Sequence, residues 1–507
     1  MTPAPVGQAK NIKNVAGHRF MSFLSCLLAA GLLIASFPQL DFSFLMWVAL
    51  VPLCATINGQ RPWRAFRRAY LCGFLFFAAT VGWVCYVTYV GAFLLVAFLA
   101  LYFALFGMAF IYFQRLSVLP RIFVLSACWV ALEFIRAHFL GGFDWVRLGH
   151  SQYKNLWLIQ IASITGVYGV SFLVVLVNLL IFENWRARSF LVKANLTVMV
   201  ILALVLAYGL AVTGKAKNYP TVRVGVIQPN IPLAVDWDDS LRPWIIDKNI
   251  RMTRQLKDQK PDLIIWPETS LPGVISESPF LVMKIRATAA DLHTPLLIGS
   301  IGQEGQQYFN SAFLIGADGQ MLGRYDKIHL VPFGEYLPLR PVLGWIGKIV
   351  GLDDFNFGKI YKVFTIAPGK KFSALICFED TLGDLRRQFT REGALFFVNM
   401  TNDAWFQDTK APFLQLQAAV FGCVETHRAL ARAANTGVSA LVDPWGRITA
   451  FVHDGFGKKT FIEGGMGGVL PMVQEMTFYT KYGDVFTYLC FLCILLAAVI
   501  QSRRPYG

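Results

Sequence analysis

In Ser373-Ala374-Leu375-Ile376-Cys377-Phe378-Glu379-Asp380 a short apolar run ends on a cysteine. Ala374-Leu375-Ile376 reads as the end of a buried β-strand. That strand delivers Cys377 to its end, with Glu379 two residues on and Gly383 soon after. A cysteine at a strand-to-helix turn is open to substrate while its backbone is held still, and a nucleophile needs both. On this stretch alone a plain core cysteine is the commoner outcome, because free Cys is among the most buried residue types. The surrounding chain changes the balance.

Outward from Cys377, residues 221–470 alternate short apolar runs with polar, helix-like stretches. Val222–Ile227, Leu263–Trp266, Leu296–Ile298, Ser311–Ile315, Phe372–Ile376, Leu395–Val398 and Val438–Val442 read as buried strands. Asp239–Leu256, Phe280–Leu292 and Ala411–Ala434 read as helices. This mixture predicts a layered α/β domain with sheets packed between helices. Ala317-Asp318-Gly319-Gln320 is a hairpin turn, and Asp443-Pro444-Trp445-Gly446 a second turn of similar build. Gly464-Gly465-Met466-Gly467-Gly468 reads as a flexible link.

The flanks differ. The chain has 507 residues, 55% hydrophobic and only 15% charged, against about 25% charged in soluble domains. Apolar runs at 21–37, 43–58, 70–89, 91–113, 120–139, 162–183, 194–213 and 485–501 approach the ~20 residues that a helix needs to cross a hydrocarbon core. The first two are short enough to form a tight helical hairpin. The expected organisation is a membrane domain of about seven spans over 1–213, a polar insert over 214–484, and a last span with its tail over 485–507. The net charge of +15 is not gathered into one block. Arg61, Arg64, Arg67, Arg68, Arg115, Arg121, Arg186, Arg188, Lys193, Arg503 and Arg504 sit on alternate loops, with Lys10, Lys13 and Arg19 before the first span. By the excess of Lys and Arg on cytoplasmic loops, both termini lie inside and the insert outside, on the periplasmic side in a bacterium. No basic face accompanies a nucleic-acid motif.

Seven of the nine cysteines lie in apolar runs, so there is no disulfide framework. Cys490 and Cys493 have metal spacing but no second pair, and read as packing. Glu133 and Arg136, three apart on a predicted helix, are expected to pair. Asp144 and His150 fall in an outer loop. The insert has no G-x-S-x-G elbow, Walker A loop or H-E-x-x-H. Its histidines lack metal-ligand spacing.

Three stretches each place a reactive group at an element's end: Ile264-Ile265-Trp266-Pro267-Glu268, Arg324-Tyr325-Asp326-Lys327, and Ile376-Cys377-Phe378-Glu379. If the strands are neighbours, Glu268, Lys327 and Cys377 converge. That trio suits acyl transfer. The thiol must lose its proton to attack a carbonyl, a carboxylate can take it and later return it to the leaving group, and an ammonium offsets the oxyanion. Glu335 and Glu379 are placed to hold the lysine charged and oriented.

In this order the W-P-E, Y-D-K and C-x-E elements resemble the nitrilase (carbon–nitrogen hydrolase) superfamily, whose fold is an α-β-β-α sandwich. With its spans the whole chain, from about residue 20 to 500, resembles the apolipoprotein N-acyltransferase family. Gln228-Pro229-Asn230-Ile231-Pro232 with Trp237, the run from Lys327 to Pro338 and Asn399-Met400-Thr401-Asn402-Asp403-Ala404-Trp405-Phe406 carry that resemblance. Phe378 stands where relatives often have tyrosine.

The resemblance implies a multi-pass protein of the bacterial inner membrane, with a Glu268-Lys327-Cys377 trio. Cys377 would take an acyl chain from a phospholipid as a thioester. It would pass that chain to the α-amine of a diacylglyceryl-cysteine apolipoprotein. Glu268 would be base, then acid; Lys327 would stabilise the oxyanion, with Glu335 supporting it. No metal or organic cofactor and no nucleic-acid partner is implied, and nothing demands more than a monomer. Trp237, Asn402 and Trp405 are candidate substrate contacts. The apolar stretch 339–357, with Trp345, is expected to form a lid at the membrane. The competing expectations are a membrane-anchored amidase using the same trio with water as acceptor, and a transporter or receptor with a non-catalytic outer domain.

Overall fold

The run Tyr89–Tyr112 contains no charged side chain. In hydrocarbon such a segment must satisfy its own backbone, and a helix does so. The computed structural model describes residues 6–214, 218–236, 238–337 and 354–503. Among them six helices are long and apolar enough to cross a membrane: Pro62–Tyr86, Tyr89–Arg115, Val118–His138, Val167–Ala187, Val192–Thr213 and Val485–Ser502. The chain falls into two units. One comprises Met1–Gln152, Val167–Ala207 and Asp484–Gly507, the other Tyr153–Gly166 and Tyr208–Gly483.

In the first unit, Gly107 lets helices Pro62–Val81 and Tyr89–Tyr112 meet closely; a Cβ there would lie 2.9 Å from the Ala65 carbonyl oxygen. Two expected spans differ from helices of crossing length. Phe20–Ala35, the apolar part of the helix Val6–Ala35, is shorter. The stretch 43–58 is broken into a 3-10 turn, Ser43–Trp47, and a helix, Val51–Ile57, with Pro52 in its first turn. Asn178 satisfies the break: its Oδ1 accepts from Leu50 N at 2.8 Å and its Nδ2 donates to Met46 O at 2.9 Å. Non-helical backbone in apolar surroundings requires such a partner. The expected span 162–183 begins later, at Val167, because Gly166 with φ 65° ends the short helix Ala162–Thr165.

Glu133 and Arg136 are both buried but do not bond to each other. Glu133 Oε1 accepts from Trp129 Nε1 and Leu148 N, each at 2.9 Å. The Arg136 guanidinium lies 5.4 Å from the centre of the Phe77 ring. Asp144 forms an ion pair with Arg147, and it and His150 are buried. Cys490 packs with Ala127, Val130 and Tyr168.

The second unit holds two six-stranded sheets. The first contains β1 (Thr221–Gln228), β2 (Leu263–Ile265), β3 (Leu296–Glu304), β4 (Gln307–Ile315), β5 (Met321–Asp326) and β12 (Gly464–Pro471), in the order β12-β1-β2-β3-β4-β5. The second contains β6 (Phe364–Ala367), β7 (Lys370–Ile376), β8 (Phe396–Thr401), β9 (Ala429–Ala434), β10 (Ala440–Val442) and β11 (Ile448–Phe451), in the order β11-β10-β9-β8-β7-β6. Three parallel strands form the centre of each, β1-β2-β3 and β9-β8-β7. Antiparallel strands flank them. Helices Arg242–Gln255 and Pro279–Leu292 cover the first sheet through Ile246, Ile250, Leu281 and Ile285, which pack on Ile264, Leu296 and Ile298. This unit is the expected α/β sandwich, and the first unit is the expected helical membrane domain.

Two expectations in this unit are corrected. The helix read over Ala411–Ala434 stops at Thr426, and His427 caps it in left-handed conformation with φ 49°. Ala429–Ala434 is instead a wholly buried central strand; packing on both faces overrides the helix propensity of alanine. Gly464–Gly468, read as a link, opens β12 and pairs with β1 from Gln228 to Val224. A Cβ on Gly467 would lie 2.0 Å from Gln259 Oε1, so this strand is bare where a helix-side residue crosses it.

Candidate active site

The strand β2 has three fully buried residues, Leu263, Ile264 and Ile265, and Trp266 continues it inward, its Nε1 donating to Thr253 Oγ1 at 2.8 Å. With the indole fixed, Pro267 turns the chain and Glu268 emerges at the sheet's edge. Thr269 follows at φ 52°, a left-handed conformation that costs a β-branched residue about 1–3 kcal/mol. The Glu268 carboxylate is held at both oxygens: Oε1 accepts from Asn310 Nδ2 at 2.8 Å, and Oε2 from Asn402 N at 2.9 Å.

Lys327 follows β5 directly, and its backbone N donates to Asn310 O at 2.9 Å. The side chain is 1% exposed. Its ammonium lies 2.9 Å from Glu335 Oε1, 2.8 Å from Glu335 Oε2 and 3.7 Å from Glu268 Oε1. It also sits 5.4 Å from the centre of the Phe378 ring, within cation–π range. Glu335 accepts in addition from Asn310 Nδ2 at 2.8 Å and Val331 N at 2.7 Å. Asn310 thus spans two carboxylates, and the ammonium lies between the same two.

Glu379 does not reach the ammonium. Its carboxylate accepts from Ile328 N and His329 N at 2.9 and 3.0 Å, from Ile376 N at 2.8 Å, and from Tyr325 OH at 2.9 Å. It therefore ties the backbone after Lys327 to the backbone before Cys377. It orients the lysine through the main chain rather than by charge pairing.

Cys377 ends β7 at φ 57° and opens the 3-10 turn Cys377–Thr381. Burial raises its thiol well above the ordinary range, the Glu268 anion adds to this, and the Lys327 cation opposes it. Burial also raises the Glu268 carboxyl, with Lys327 pulling it down and Glu335 pushing it up. Burial by itself would depress Lys327, but Glu335 and its other anionic neighbours hold it above its ordinary value. The resting state is thus a neutral thiol, a raised carboxyl and a secured cation. Burial moves the Glu268 carboxyl toward neutral pH, as a general base needs, but moves the thiol away from it, so the resting thiol keeps its proton.

Asn402 lies beside the trio, donating its backbone N–H to Glu268; its Oδ1 accepts from Asn435 Nδ2 at 3.0 Å. Trp405 is 44% exposed on the turn Asp403–Phe406. Trp237 and Trp345 lie outside the described residues, as does most of the stretch 339–357. Its last residues are tied down, Phe355 N to Glu335 O at 2.9 Å and Asn356 N to Tyr308 O at 2.7 Å. Among the described residues no three His, Cys, Asp or Glu side chains are grouped as a metal ion would need. Asn310 is a partner that sequence reading did not single out, and Tyr325 stands beside Lys327 in its stretch without a role given to it. Asn310 falls just before the run Ser311–Ile315 read as a strand, so its sequence surroundings do not point to it.

The profile of the Apolipoprotein N-acyltransferase N-terminal domain matches residues 29–180, and that of the Carbon-nitrogen hydrolase domain residues 223–462. An apolipoprotein N-acyltransferase of Geobacter metallireducens is 35% identical over 509 residues, spanning 95% of each chain. The chain belongs to the apolipoprotein N-acyltransferase family. A second family member, from Chlorobaculum tepidum, is 28% identical over 522 residues, covering 96% of this chain and 97% of its own. Among solved structures, an amidase from Nesterenkonia sp. is similar over 55% of this chain and 99% of its own, at 19% identity and a TM-score of 0.39. In this family member the first profile covers much of the helical unit together with Tyr153–Gly166 of the other, and the second spans the segment that contains Glu268, Lys327 and Cys377.

Proposed function

We propose that this protein is a membrane-embedded acyltransferase that acylates the N-terminal α-amine of apolipoproteins by a two-step, ping-pong route. In the first step Cys377 Sγ attacks an ester carbonyl of a phospholipid while its proton passes to Glu268. The oxyanion develops beside the Lys327 ammonium, which stabilises it. Glu268 then returns the proton to the departing lysophospholipid oxygen, leaving a thioester on Cys377. In the second step the α-amine of a diacylglyceryl-cysteine loses a proton to Glu268 and attacks the thioester. The amide forms and the Cys377 thiolate leaves, to be reprotonated. Glu335 keeps Lys327 charged throughout, and no step calls for a metal or organic cofactor.

One observation carries this reading. A buried lysine lies between Glu268 and Glu335, within the same electrostatic neighbourhood as a cysteine in left-handed backbone. Both substrates are lipids, and the long apolar helices give such an enzyme its access to them. The alternation of Arg- and Lys-bearing loops supports an inner-membrane protein with cytoplasmic termini and a periplasmic segment at 214–484.

Intact mass after incubation with a diacyl phospholipid tests the reading. The wild type is expected to gain one fatty-acyl mass, which a diacylglyceryl peptide amine removes. Cys377→Ser is expected to gain none that this amine can remove. A folded wild type that stays unmodified sinks the thioester route and leaves a membrane-anchored amidase, with water as acceptor, in its place.

A further inference from the structure

Left-handed backbone is uncommon for a residue with a side chain, so the φ of 57° at Cys377 must be held by its surroundings. The Cys377 carbonyl oxygen accepts from two side-chain amides, Gln415 Nε2 at 2.7 Å and Asn399 Nδ2 at 2.8 Å. Gln415 Nε2 also donates to Asp380 Oδ1 at 2.9 Å. The oxygens of both amides meet one cation: Arg432 Nη1 donates to Asn399 Oδ1 at 2.9 Å, and Nη2 to Gln415 Oε1 at 3.0 Å. A guanidinium only donates. The amide oxygens must therefore face Arg432, and the amino groups must face Cys377.

Arg432 is fixed in turn by Asp380 Oδ2 at 2.6 Å, Asp403 Oδ2 at 3.3 Å and Val438 O at 3.0 Å. Arg432, Asp380, Asp403 and Asn399 are 0% exposed and Gln415 is 1% exposed. The nucleophile's peptide thus rests on a closed, buried bed. In a trans peptide the carbonyl and the following N–H point in opposite directions. Holding the Cys377 oxygen in the bed turns the Phe378 N–H away from it. That N–H lies at the start of the 3-10 turn, where the turn itself offers no acceptor.

We propose that Gln415 is a positioning residue for the nucleophile: its amide holds the Cys377 carbonyl and so keeps the Phe378 N–H turned outward, as an oxyanion donor opposite Lys327. The inference rests on the acyl-enzyme reading above. Gln415 touches no reacting atom. Its replacement leaves Arg432 paired with Asp380 and Asp403, so it removes one of the two amides that hold the Cys377 carbonyl without stranding a buried charge.

The test uses the full chain in detergent micelles with a diacyl phospholipid. Thioester formation is followed by intact mass in single turnovers over a range of lipid concentrations, with melting temperature measured alongside. Gln415→Met is close in shape and has no donor. It is expected to slow acylation by about 10- to 100-fold, as a small misplacement at a reacting centre does, at an unchanged lipid concentration for half-maximal rate. Gln415→Glu keeps an acceptor for Arg432 but turns a second acceptor toward the Cys377 carbonyl, and is expected to be at least as slow. If Gln415→Met does not fold, the ion-paired Gln415→Glu carries the test. A folded variant that acylates at the wild-type rate, or one in which only the half-maximal concentration moves, overturns the inference. Lipid-dependent transfer surviving in Cys377→Ala overturns the acyl-enzyme reading instead, so the two failures are told apart.

Discussion

The first sheet brings Glu268, Asn310 and Lys327 to the site, with Glu335 close behind; the second brings Cys377, on a bed built around Arg432. On the first side the cation is a lysine between two carboxylates, at 2.8 and 3.7 Å, and burial raises the carboxyl of one of them, Glu268. On the second side the cation is an arginine, held by Asp380, Asp403 and two amide oxygens. Both sheets have three parallel strands at their centre, and both deliver side chains from strand ends. On the proposed route one edge moves a proton and the other keeps an atom still. A site that deprotonates a thiol and later reprotonates a leaving group would need the first property in only half of its wall.

That contrast is open to attack, beginning where the effect is largest. Cys377→Ala should abolish the thioester and reduce transfer by about 10³-fold or more, measured by intact mass and peptide acylation. Glu268→Gln should leave the thiol intact but reduce acylation by about 10²- to 10⁴-fold. Equal activity in Glu268→Gln would mean that the first sheet does not handle the proton.

Two further substitutions should move the pH profile in opposite directions. The Glu335 anion raises the Glu268 carboxyl, so Glu335→Gln should shift the acid limb of the single-turnover rate to lower pH, with about a tenfold loss of rate as Lys327 loses its nearest counter-charge. Asn310 donates to the ionised form of Glu268 and lowers its pKa. Asn310→Ala should therefore shift the same limb to higher pH, at a cost of about three- to tenfold. Movement of both limbs in one direction would break the assignment of Glu268 as base.

The smallest effect on turnover is expected at Glu379. Burial pushes its carboxyl from 4.5 up to about 7, against backbone donors and Lys327 that favour the ionised form. A group whose pKa is raised on folding adds stability that is fully present below its unfolded value and lost as pH rises through its folded value. Between pH 4.5 and 7 the wild type should therefore lose stability relative to Glu379→Gln, by up to about 3 kcal/mol. Melting temperatures of both proteins across that range are the check. Parallel curves would show that Glu379 has the same proton affinity in the folded and unfolded chains.

Much of the site was legible because strand ends announce themselves. Leu263-Ile264-Ile265 and Ala374-Leu375-Ile376 are short apolar runs with a reactive group just beyond. The neighbours that tune them were not legible. Asn310 lies 42 residues from the glutamate it holds, and a polar residue before an apolar run looks the same whether it faces solvent or a carboxylate. Gln415 falls in the helix Ala411–Thr426, where a polar residue reads as a solvent-facing one, although Gln415 is buried. The strand at Ala429–Ala434 was hidden by alanine, whose local preference is helical, and β12 by glycine, whose preference is for neither element. The break at 48–50 was hidden for a related reason: its remedy, Asn178, is far away in sequence.

The pairing of β12 with β1 also sets a timetable. Thr221 lies opposite Pro471 and Gln228 opposite Gly464, so nearly half of the chain separates partners that share one ladder. A ribosome extends the chain from its N-terminus, and the first sheet cannot gain its outer strand until residue 471 has been added. Such long-range closure is intrinsically slow. Met472 N also bonds to Pro220 O at 2.8 Å, so closing the ladder joins the way into this unit to the way out. A nascent chain halted before residue 464 would carry Glu268 and Lys327 on a sheet with an open edge. Competence therefore arrives late, after nearly all of the acyltransferase has been made.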